Sequence, residues 1–197
     1  LIVALDWMML EQVCAFFGAH RELDGCAVSV NFSARQFLAP DAERRVLDTL
    51  ERHGLAPTRL KLELTERVLA GDIRRVRAVM EALAARGVEF YLDDFGTGYS
   101  NLSSVVSLPL QYVKVDRSLL EAATNGGGGA LLLRAVVETF RAMGRGILLE
   151  GVETPEQYAL ACTLRADRLQ GYYLARPMPG EELCALMRSG ARRTRRT

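Results

Sequence analysis

The sequence has few of the features that mark a membrane or secreted protein. Its 197 residues contain no hydrophobic run long and apolar enough to span a bilayer, and no secretory signal is present. The four cysteines (Cys14, Cys26, Cys162 and Cys184) are widely spaced among apolar residues, without the paired spacing of a zinc site. We therefore expect reduced, buried thiols in a cytoplasmic protein.

A strong net charge is also lacking. The chain has 25 Lys and Arg residues against 24 Asp and Glu residues, which gives a formal charge of +1. Four of the arginines lie in the last seven residues, so the remainder carries a formal charge of −3. This mildly acidic body excludes a broad basic surface for a nucleic acid polymer. We expect one domain over residues 1–190 and an Arg-rich tail, disordered or a linker, over residues 191–197.

An initiator methionine is missing as well, because the chain begins with Leu1 inside an apolar segment. We therefore expect the chain to be a piece of a longer protein that has further domains upstream. The hydrophobic content of 49% and the length are ordinary for a soluble domain with a substantial core.

Segments typical of strands and of helices alternate about six times. Short apolar runs predict strands at residues 26–30, 60–64, 88–92, 112–115, 147–149 and 168–173. Amphipathic patterns predict helices at residues 5–20, 41–53, 72–87, 100–107, 131–143, 155–164 and 181–187. Four glycines at residues 126–129 predict a flexible joint. The alternation indicates an α/β fold with a parallel sheet, either doubly wound or closed as a barrel.

Polar side chains occupy equivalent places in this pattern. Those at or near the carboxyl ends of different predicted strands are Asn31, Glu63, Asp93, Asp94, Lys114 and Glu150. In a (β/α) barrel these ends converge on one mouth, where active sites are built, whereas a doubly wound sheet spreads them along a crevice. Five oxygen donors and one lysine from five different strands favour the barrel.

The adjacent carboxylates Asp93 and Asp94 are the most conspicuous pair. Neighbouring side chains on a strand point to opposite faces, so both reach one centre only if the strand stops there and the backbone turns. Gly96 and Gly98 make such a turn easy. Taken alone, such a pair is more often an acidic helix start or a solvated turn than part of a binding site.

The other acidic positions also have simpler explanations. Lys61, Glu63 and Glu66 fit a solvated strand edge, and Glu150 and Glu153 fit an acidic helix start before a proline. These explanations weaken when the positions are taken together, because independent accidents at equivalent strand ends are improbable.

The chemistry of the set points to a hard cation. One asparagine and four carboxylates, without sulfur or histidine, suit Mg²⁺, Mn²⁺ or Ca²⁺ rather than zinc. So many carboxylates at one mouth repel each other unless cations balance them, which favours more than one divalent ion. Two such ions are a standard arrangement for the hydrolysis of phosphate esters. Lys114 would then orient water or offset the charge of a phosphate.

Six segments in this order resemble a known family. They are VNFSARQ at residues 30–36, ELTE at 63–66, DDFGTGYS at 93–100, VKVDRS at 113–118, EGVET at 150–154 and QGYY at 170–173. Together they resemble the EAL-domain family of cyclic di-GMP phosphodiesterases over the chain to about residue 187. The resemblance implies a modified (β/α)₈ TIM-like barrel that opens cyclic di-GMP to linear pGpG with two Mg²⁺ or Mn²⁺ ions.

The resemblance also implies roles for individual residues. Its metal ligands are Asn31, Glu63, Asp93, Asp94 and Glu150. One of the two adjacent aspartates would bridge the ions, with Asp94 also on the substrate side. Lys114 would position or activate water with Asp116 close by, as catalytic residues beside Glu150, and Gln170 would contact metal and substrate. Glu66 would stabilise the loop that begins at Asp94.

The same resemblance predicts cofactors and partners. Cyclic di-GMP is the expected ligand, Ca²⁺ an expected inhibitor, and a sensor or GGDEF domain an expected upstream neighbour. The loop and helix that follow Asp94 would form a homodimer contact.

One part of the family pattern is absent. The Glu-Ala-Leu motif belongs on a first strand that would precede Leu1, and it carries a further metal ligand. The alternative to an enzyme is therefore a catalytically inactive cyclic di-GMP receptor that signals through a protein partner. A purely structural interaction module ranks lower, because aligned acids without a metal are a costly way to build a surface.

Overall fold

The predicted strands form one parallel sheet in the computed structural model, which describes residues 2–65, 72–97 and 105–189. In chain order the strands are β1 (Val28–Asn31), β2 (Leu60–Thr65), β3 (Glu89–Phe95), β4 (Tyr112–Val115), β5 (Gly146–Leu149) and β6 (Arg168–Leu169). Each strand pairs with the next strand of the sequence, all in parallel. A doubly wound sheet reverses its order at a switch point, so the unreversed order is that of a barrel.

Helices connect the strands. They are α1 (Ile2–Ala19), α2 (Ala34–Phe37), α3 (Ala42–Arg52), α4 (Ile73–Ala84), α5 (Arg117–Thr124), α6 (Gly129–Ala142), α7 (Pro155–Thr163) and α8 (Gly180–Arg188), and two short 3₁₀ turns lie at Arg21–Leu23 and Pro57–Arg59. The predicted TIM-like fold is thus confirmed as a partial barrel of six strands. None of the described helices is long and apolar enough to cross a membrane.

Helix α4 illustrates how the sequence specifies these elements. The Asp72 side chain accepts a hydrogen bond from the backbone of Arg75 and caps the helix start. Val76, Met80 and Leu83 recur at helical spacing and are buried. After the helix, Gly87 adopts a φ of +100°, a conformation that glycine alone reaches without strain.

The two faces of the sheet differ in chemistry because side chains alternate along a strand. One face carries the apolar core, in which strand residues such as Leu62, Leu92 and Val113 pack with helix residues. For example, the Phe95 ring meets Phe140 of α6 edge-on at 4.7 Å between centroids. The opposite face is the barrel interior, and its polar side chains build the candidate site.

Most predicted boundaries differ from the described elements by one to three residues, and three differences bear on the site or the joint. Strand β3 continues to Phe95 instead of ending at residue 92, because Phe95 pairs with Val115 after a register shift. Strand β6 has two residues instead of six, because the chain turns at Gly171, where a Cβ would come within 2.2 Å of the Val152 carbonyl oxygen. Gly129 belongs to α6 rather than to a flexible joint.

Several expectations fall on residues that the structure does not describe. Glu66 is one of them, as are Gly98, most of the helix predicted at residues 100–107, and the Arg-rich tail. The loop tether, the homodimer contact and the tail therefore stay predictions.

Candidate metal centre

A buried lysine lies at the centre of the candidate site. Strand β4 directs Lys114 into the barrel interior, where its Nζ lies 2.7 Å from Asp93 Oδ1, 2.8 Å from Glu63 Oε2 and 2.9 Å from Glu150 Oε1. The three acids come from β3, β2 and the residue after β5. The convergence that was predicted from strand ends is therefore confirmed for these four residues.

The charges and the burial of this cluster shift the pKa values of its side chains. Burial alone would lower the pKa of the Lys114 ammonium, but hydrogen bonds to Asp93, Glu63 and Glu150 outweigh burial and raise its pKa above the ordinary range. Burial raises the pKa of Glu150, and Lys114 only partly opposes that effect. The lysine is thus a fixed cation, and removing it would leave buried carboxylates without a counter-charge.

The side chains of Asp93 and Asp94 reach one centre through a backbone geometry that was not predicted from the sequence. Both lie within β3, at the register shift between Leu92 and Phe95, and Asp94 has a φ of +56°. A bulge of this kind re-aims side chains, so adjacent residues need not point to opposite faces. Carboxylate oxygens of Asp93, Asp94 and Glu150 lie within 4.8 Å of one another.

Asn31 and Glu63 lie on the neighbouring side of the mouth. They are paired in register between β1 and β2. Both line a cavity of about 600 Å³, together with Asp6, Phe32, Ser33, Ala34, Arg35 and Thr65. Glu63 is linked to the three clustered acids through Lys114, whereas Asn31 is exposed at the rim.

Gln170 and Asp116 occupy less central positions. Gln170 follows β6 and lines a second cavity of about 420 Å³, beside Arg117, Glu153, Tyr172 and Arg176. The Asp116 carboxylate accepts hydrogen bonds from the backbone and hydroxyl of Ser118, so it caps α5. The structural role of Asp116 is plain, while its catalytic role stays a prediction.

The simpler explanations of the acidic positions have different outcomes. A solvated strand edge is wrong for Lys61 and Glu63, because both side chains are buried. An acidic helix start fits Glu153, which is exposed and pairs with Arg117, its Oε1 lying 3.1 Å from a guanidinium nitrogen. It does not fit Glu150, whose carboxylate faces Lys114.

A second polar layer inside the barrel was not predicted from the sequence. It consists of Lys61, Glu89, Tyr91 and Arg168, which contact one another across three strands. The available signal was the period-two placement of polar residues in strands β2 and β3, at positions 61, 63, 89, 91 and 93.

The donor chemistry at the mouth fits a divalent cation. Three carboxylates lie close together, Glu63 is adjacent, and the single ammonium of Lys114 faces three of these four acids. Carboxylate and amide oxygens are the ligands that Mg²⁺, Mn²⁺ and Ca²⁺ prefer. The negative charge that Lys114 leaves unbalanced favours such an ion.

Comparison with known proteins agrees with this geometry. The family model described as the EAL domain matches residues 1–177. The chain is 35% identical over 190 residues to the bifunctional diguanylate cyclase/cyclic di-GMP phosphodiesterase MucR of Pseudomonas aeruginosa. That match covers 94% of this chain and 27% of MucR, so the chain spans about a quarter of the relative.

Several solved structures are similar to this chain in both fold and sequence. The MucR phosphodiesterase in complex with c-di-GMP superposes with a TM-score of 0.83 at 35% identity, covering 92% of this chain and 74% of that chain. The EAL domain of Mycobacterium smegmatis DcpA gives 0.89 at 32% identity, covering 96% and 86%. A manganese and c-di-GMP complex of Klebsiella pneumoniae BlrP1 gives 0.78 at 27% identity, covering 86% and 43%.

Proposed function

The chain belongs to the EAL domain family, and from this premise we propose that it hydrolyses one phosphodiester bond of cyclic di-GMP to give linear pGpG. The observation that carries the proposal is the cluster of Asp93, Asp94 and Glu150 oxygens within 4.8 Å, with the ammonium of Lys114 beside it. A binding module for an organic ligand would not require such a concentration of acids around one point.

The residues that would hold divalent ions are Asn31, Glu63, Asp93, Asp94 and Glu150. When bound, Mg²⁺ or Mn²⁺ would acidify the attacking water and polarise the phosphate. Ca²⁺ favours longer and looser coordination, so we expect it to support cyclic di-GMP binding and to inhibit hydrolysis. The manganese complex of BlrP1 with c-di-GMP supports the assignment of Mn²⁺.

Lys114 organises the carboxylates for this task. Its ammonium contacts Glu63, Asp93 and Glu150, which come from separate elements, and it fixes their relative positions. Because its pKa lies above the ordinary range, it stays cationic throughout the working pH range and attracts the phosphate of the substrate. Preorganised charge of this kind costs little reorganisation during the reaction.

Substrate would lie across the mouth between two cavities. The cavity beside Asn31 and Glu63 and the cavity beside Gln170 flank the acidic cluster on different strands. A cyclic dinucleotide consists of two nucleosides that two phosphodiester bonds join into one ring. A pair of flanking cavities therefore suits its shape. Gln170 is the proposed polar contact on the second side, with Asp94 and Asp116 on the catalytic side.

The proposal extends to the parent protein. MucR is named as both a diguanylate cyclase and a phosphodiesterase, and the chain covers only part of it. We therefore propose a GGDEF or sensor domain as neighbour, and a homodimer through the loop and helix after Asp94. Glu66 would transmit the state of that contact to the site.

Turnover of cyclic di-GMP by matched variants tests the proposed function. Glu150→Gln keeps the size of the side chain but removes a ligand charge, and we expect it to lower kcat by about three orders of magnitude. Glu81 is exposed on α4, pairs with Arg77 and lines neither cavity, so Glu81→Gln should change kcat less than about twofold. Product is measured as pGpG by chromatography with Mn²⁺ and with EDTA.

Two results would overturn the proposal. One is equal turnover by the Glu150 and Glu81 variants. The other is tight binding of cyclic di-GMP with Mn²⁺ but without any pGpG, which is the behaviour of the inactive receptor. Each of the five proposed ligand positions carries an oxygen donor in this chain, and this favours the enzyme over that alternative.

A further inference from the structure

The second polar layer of the barrel forms a continuous chain of contacts, which we call the interior network (Lys61, Glu89, Tyr91 and Arg168). Lys61 Nζ lies 2.9 Å from Glu89 Oε2. The Tyr91 hydroxyl donates to the same carboxylate at 3.2 Å and accepts from Arg168 at 2.5 Å. The network thus runs from the buried Lys61 of β2 through β3 to β6, the last strand of the sheet, where Arg168 is exposed.

The interior network lies directly beneath the metal centre. Residues two apart on a strand share a face, so Lys61 lies below Glu63, Tyr91 below Asp93, and Arg168 below Gln170, each by roughly 6–7 Å. Tyr91 is 1% exposed, and its ring packs on Tyr112, which lies two residues before Lys114, at 4.8 Å between centroids. The network therefore contacts the floor of the site rather than the mouth.

Strand β6 depends on this network for a second attachment. Its backbone pairs with β5 at only two positions, Leu148 with Arg168 and Leu149 with Leu169. Arg168 reaches past β5 and stacks on Tyr112 of β4, with its Cζ 4.4 Å from the ring centroid. Hydrogen bonds of Asp167 with Ile147 and of Gln170 with Leu149 also hold β6 to β5, so the contact of Arg168 with Tyr112 is its attachment beyond the neighbouring strand.

A glycine on the intervening strand makes room for this reach. Gly146 of β5 is in register with Tyr112 of β4. A Cβ at Gly146 would come within 2.4 Å of the Tyr112 ring, so a larger residue would displace the surface on which Arg168 stacks.

We propose that Arg168 is a positioning residue that acts through Tyr91 and Tyr112 to hold β6, and thereby fixes Gln170 at the substrate side of the mouth. The inference rests on the proposed function for its kinetic part and on the network geometry for its structural part. Gln170 is the first residue after β6, and its backbone bonds to Leu149 and Val152, so a shift of β6 moves it directly.

The test uses the full chain with Arg168→Met, Arg168→Lys, Tyr91→Phe and the double variant Arg168→Met/Tyr91→Phe. For Arg168→Met we expect KM for cyclic di-GMP to rise about tenfold while kcat changes less than about twofold, because Arg168 orients substrate through Gln170 and does not touch the reacting atoms. Mn²⁺ affinity should stay unchanged, since the proposed ligands lie on β1 to β5. Arg168→Lys should recover part of the KM effect, because lysine still donates to the Tyr91 hydroxyl.

A second readout does not require activity. Hydrogen exchange of the backbone amides at residues 167–170 should become faster in Arg168→Met than in the native chain. The double variant should be no worse than Arg168→Met, because both changes break the same hydrogen bond. Arg141→Met is the matched control: Arg141 donates to the carbonyls of Leu164 and Arg165 outside the barrel, and its replacement should leave KM unchanged.

Unchanged amide exchange and unchanged KM in Arg168→Met would overturn the inference. Equal decreases of kcat and Mn²⁺ affinity would overturn it too, since they would mean general damage to the site. A native chain that fails to hydrolyse cyclic di-GMP would refute the proposed function instead, and the exchange rates would still decide whether Arg168 holds β6.

Discussion

The two polar layers of the barrel interior differ in how their charges balance. In the upper layer, one ammonium, that of Lys114, faces the carboxylates of Glu63, Asp93 and Glu150, and Asp94 adds a fourth acid. In the lower layer, Lys61 is paired with Glu89, and the Tyr91 hydroxyl links Glu89 to Arg168. The lower layer has two cations and one carboxylate and so needs no further cation, whereas the upper layer has four carboxylates and one ammonium and needs additional cations. This difference separates a structural network from a candidate metal site.

The excess of carboxylates in the upper layer predicts that the largest effect on stability occurs at Lys114. Lys114→Met leaves buried carboxylates without a counter-charge, so we expect the free energy of unfolding without metal to fall by about 3 kcal/mol. Added Mn²⁺ should restore more stability to this variant than to the native chain, because the ion supplies the missing charge. Urea unfolding with EDTA and with Mn²⁺ measures both values.

A surface cation provides the control for this prediction. Arg117 also contacts two carboxylates, those of Glu121 and Glu153, but it is exposed. Arg117→Met should change the free energy of unfolding little, and equally with and without Mn²⁺, because solvent screens its contacts. If Lys114→Met lowered the free energy of unfolding by the same amount in EDTA and in Mn²⁺, this result would contradict the charge imbalance of the upper layer.

A smaller effect is expected in the lower layer. Glu89→Gln keeps the shape of the side chain but weakens its contacts with Lys61 and Tyr91, and should cost about 1–2 kcal/mol. Because this layer has no excess of negative charge to attract a cation, the cost should be the same in EDTA and in Mn²⁺. Rescue of Glu89→Gln by Mn²⁺ in urea unfolding would mean that the two layers are not separate.

The smallest effect is expected at an ion pair outside the barrel. Glu11 contacts His53, Arg52 and Thr49, and the hydrogen bond with His53, followed by Arg52, lowers its pKa although burial opposes the shift. A carboxyl with a lowered folded pKa stabilises the fold above its unfolded pKa and loses that contribution as pH falls through the folded value.

Glu11→Gln should therefore cost about 0.5 kcal/mol near neutral pH, since the carboxylate is partly exposed, and progressively less at an acidic pH. Unfolding measured at both pH values shows whether the cost of Glu11→Gln decreases in acid. A cost that persists in acid would show that packing, not charge, holds this contact.

Much of the fold was predictable because the evidence for it is local. Strand β4 and the position of Lys114 at its interior face follow from alternation over four residues, and helix α4 follows from its cap at Asp72 and its apolar spacing. Equivalent strand ends also predicted that Glu63, Asp93 and Glu150 meet, since parallel strands present those ends at one edge.

The rest depends on partners that are distant in sequence. The bulge that aims Asp93 and Asp94 at one centre arises because Phe95 pairs with Val115, and nothing within residues 88–97 specifies that pairing. Strand β6 is short because Gly171 packs against Val152, a contact between loops. Arg168 and Tyr91 are 77 residues apart, so their contact had no local signal.

The charge imbalance of the upper layer is tested most directly by calorimetric titration of Mn²⁺ into the metal-free chain and into the double variant Asp93→Asn/Asp94→Asn. We predict binding to the native chain and none to the double variant, while hydrogen exchange shows the lower layer intact. Native-like Mn²⁺ binding by the folded double variant, or no binding by the native chain, would contradict the assignment of this mouth as the metal site.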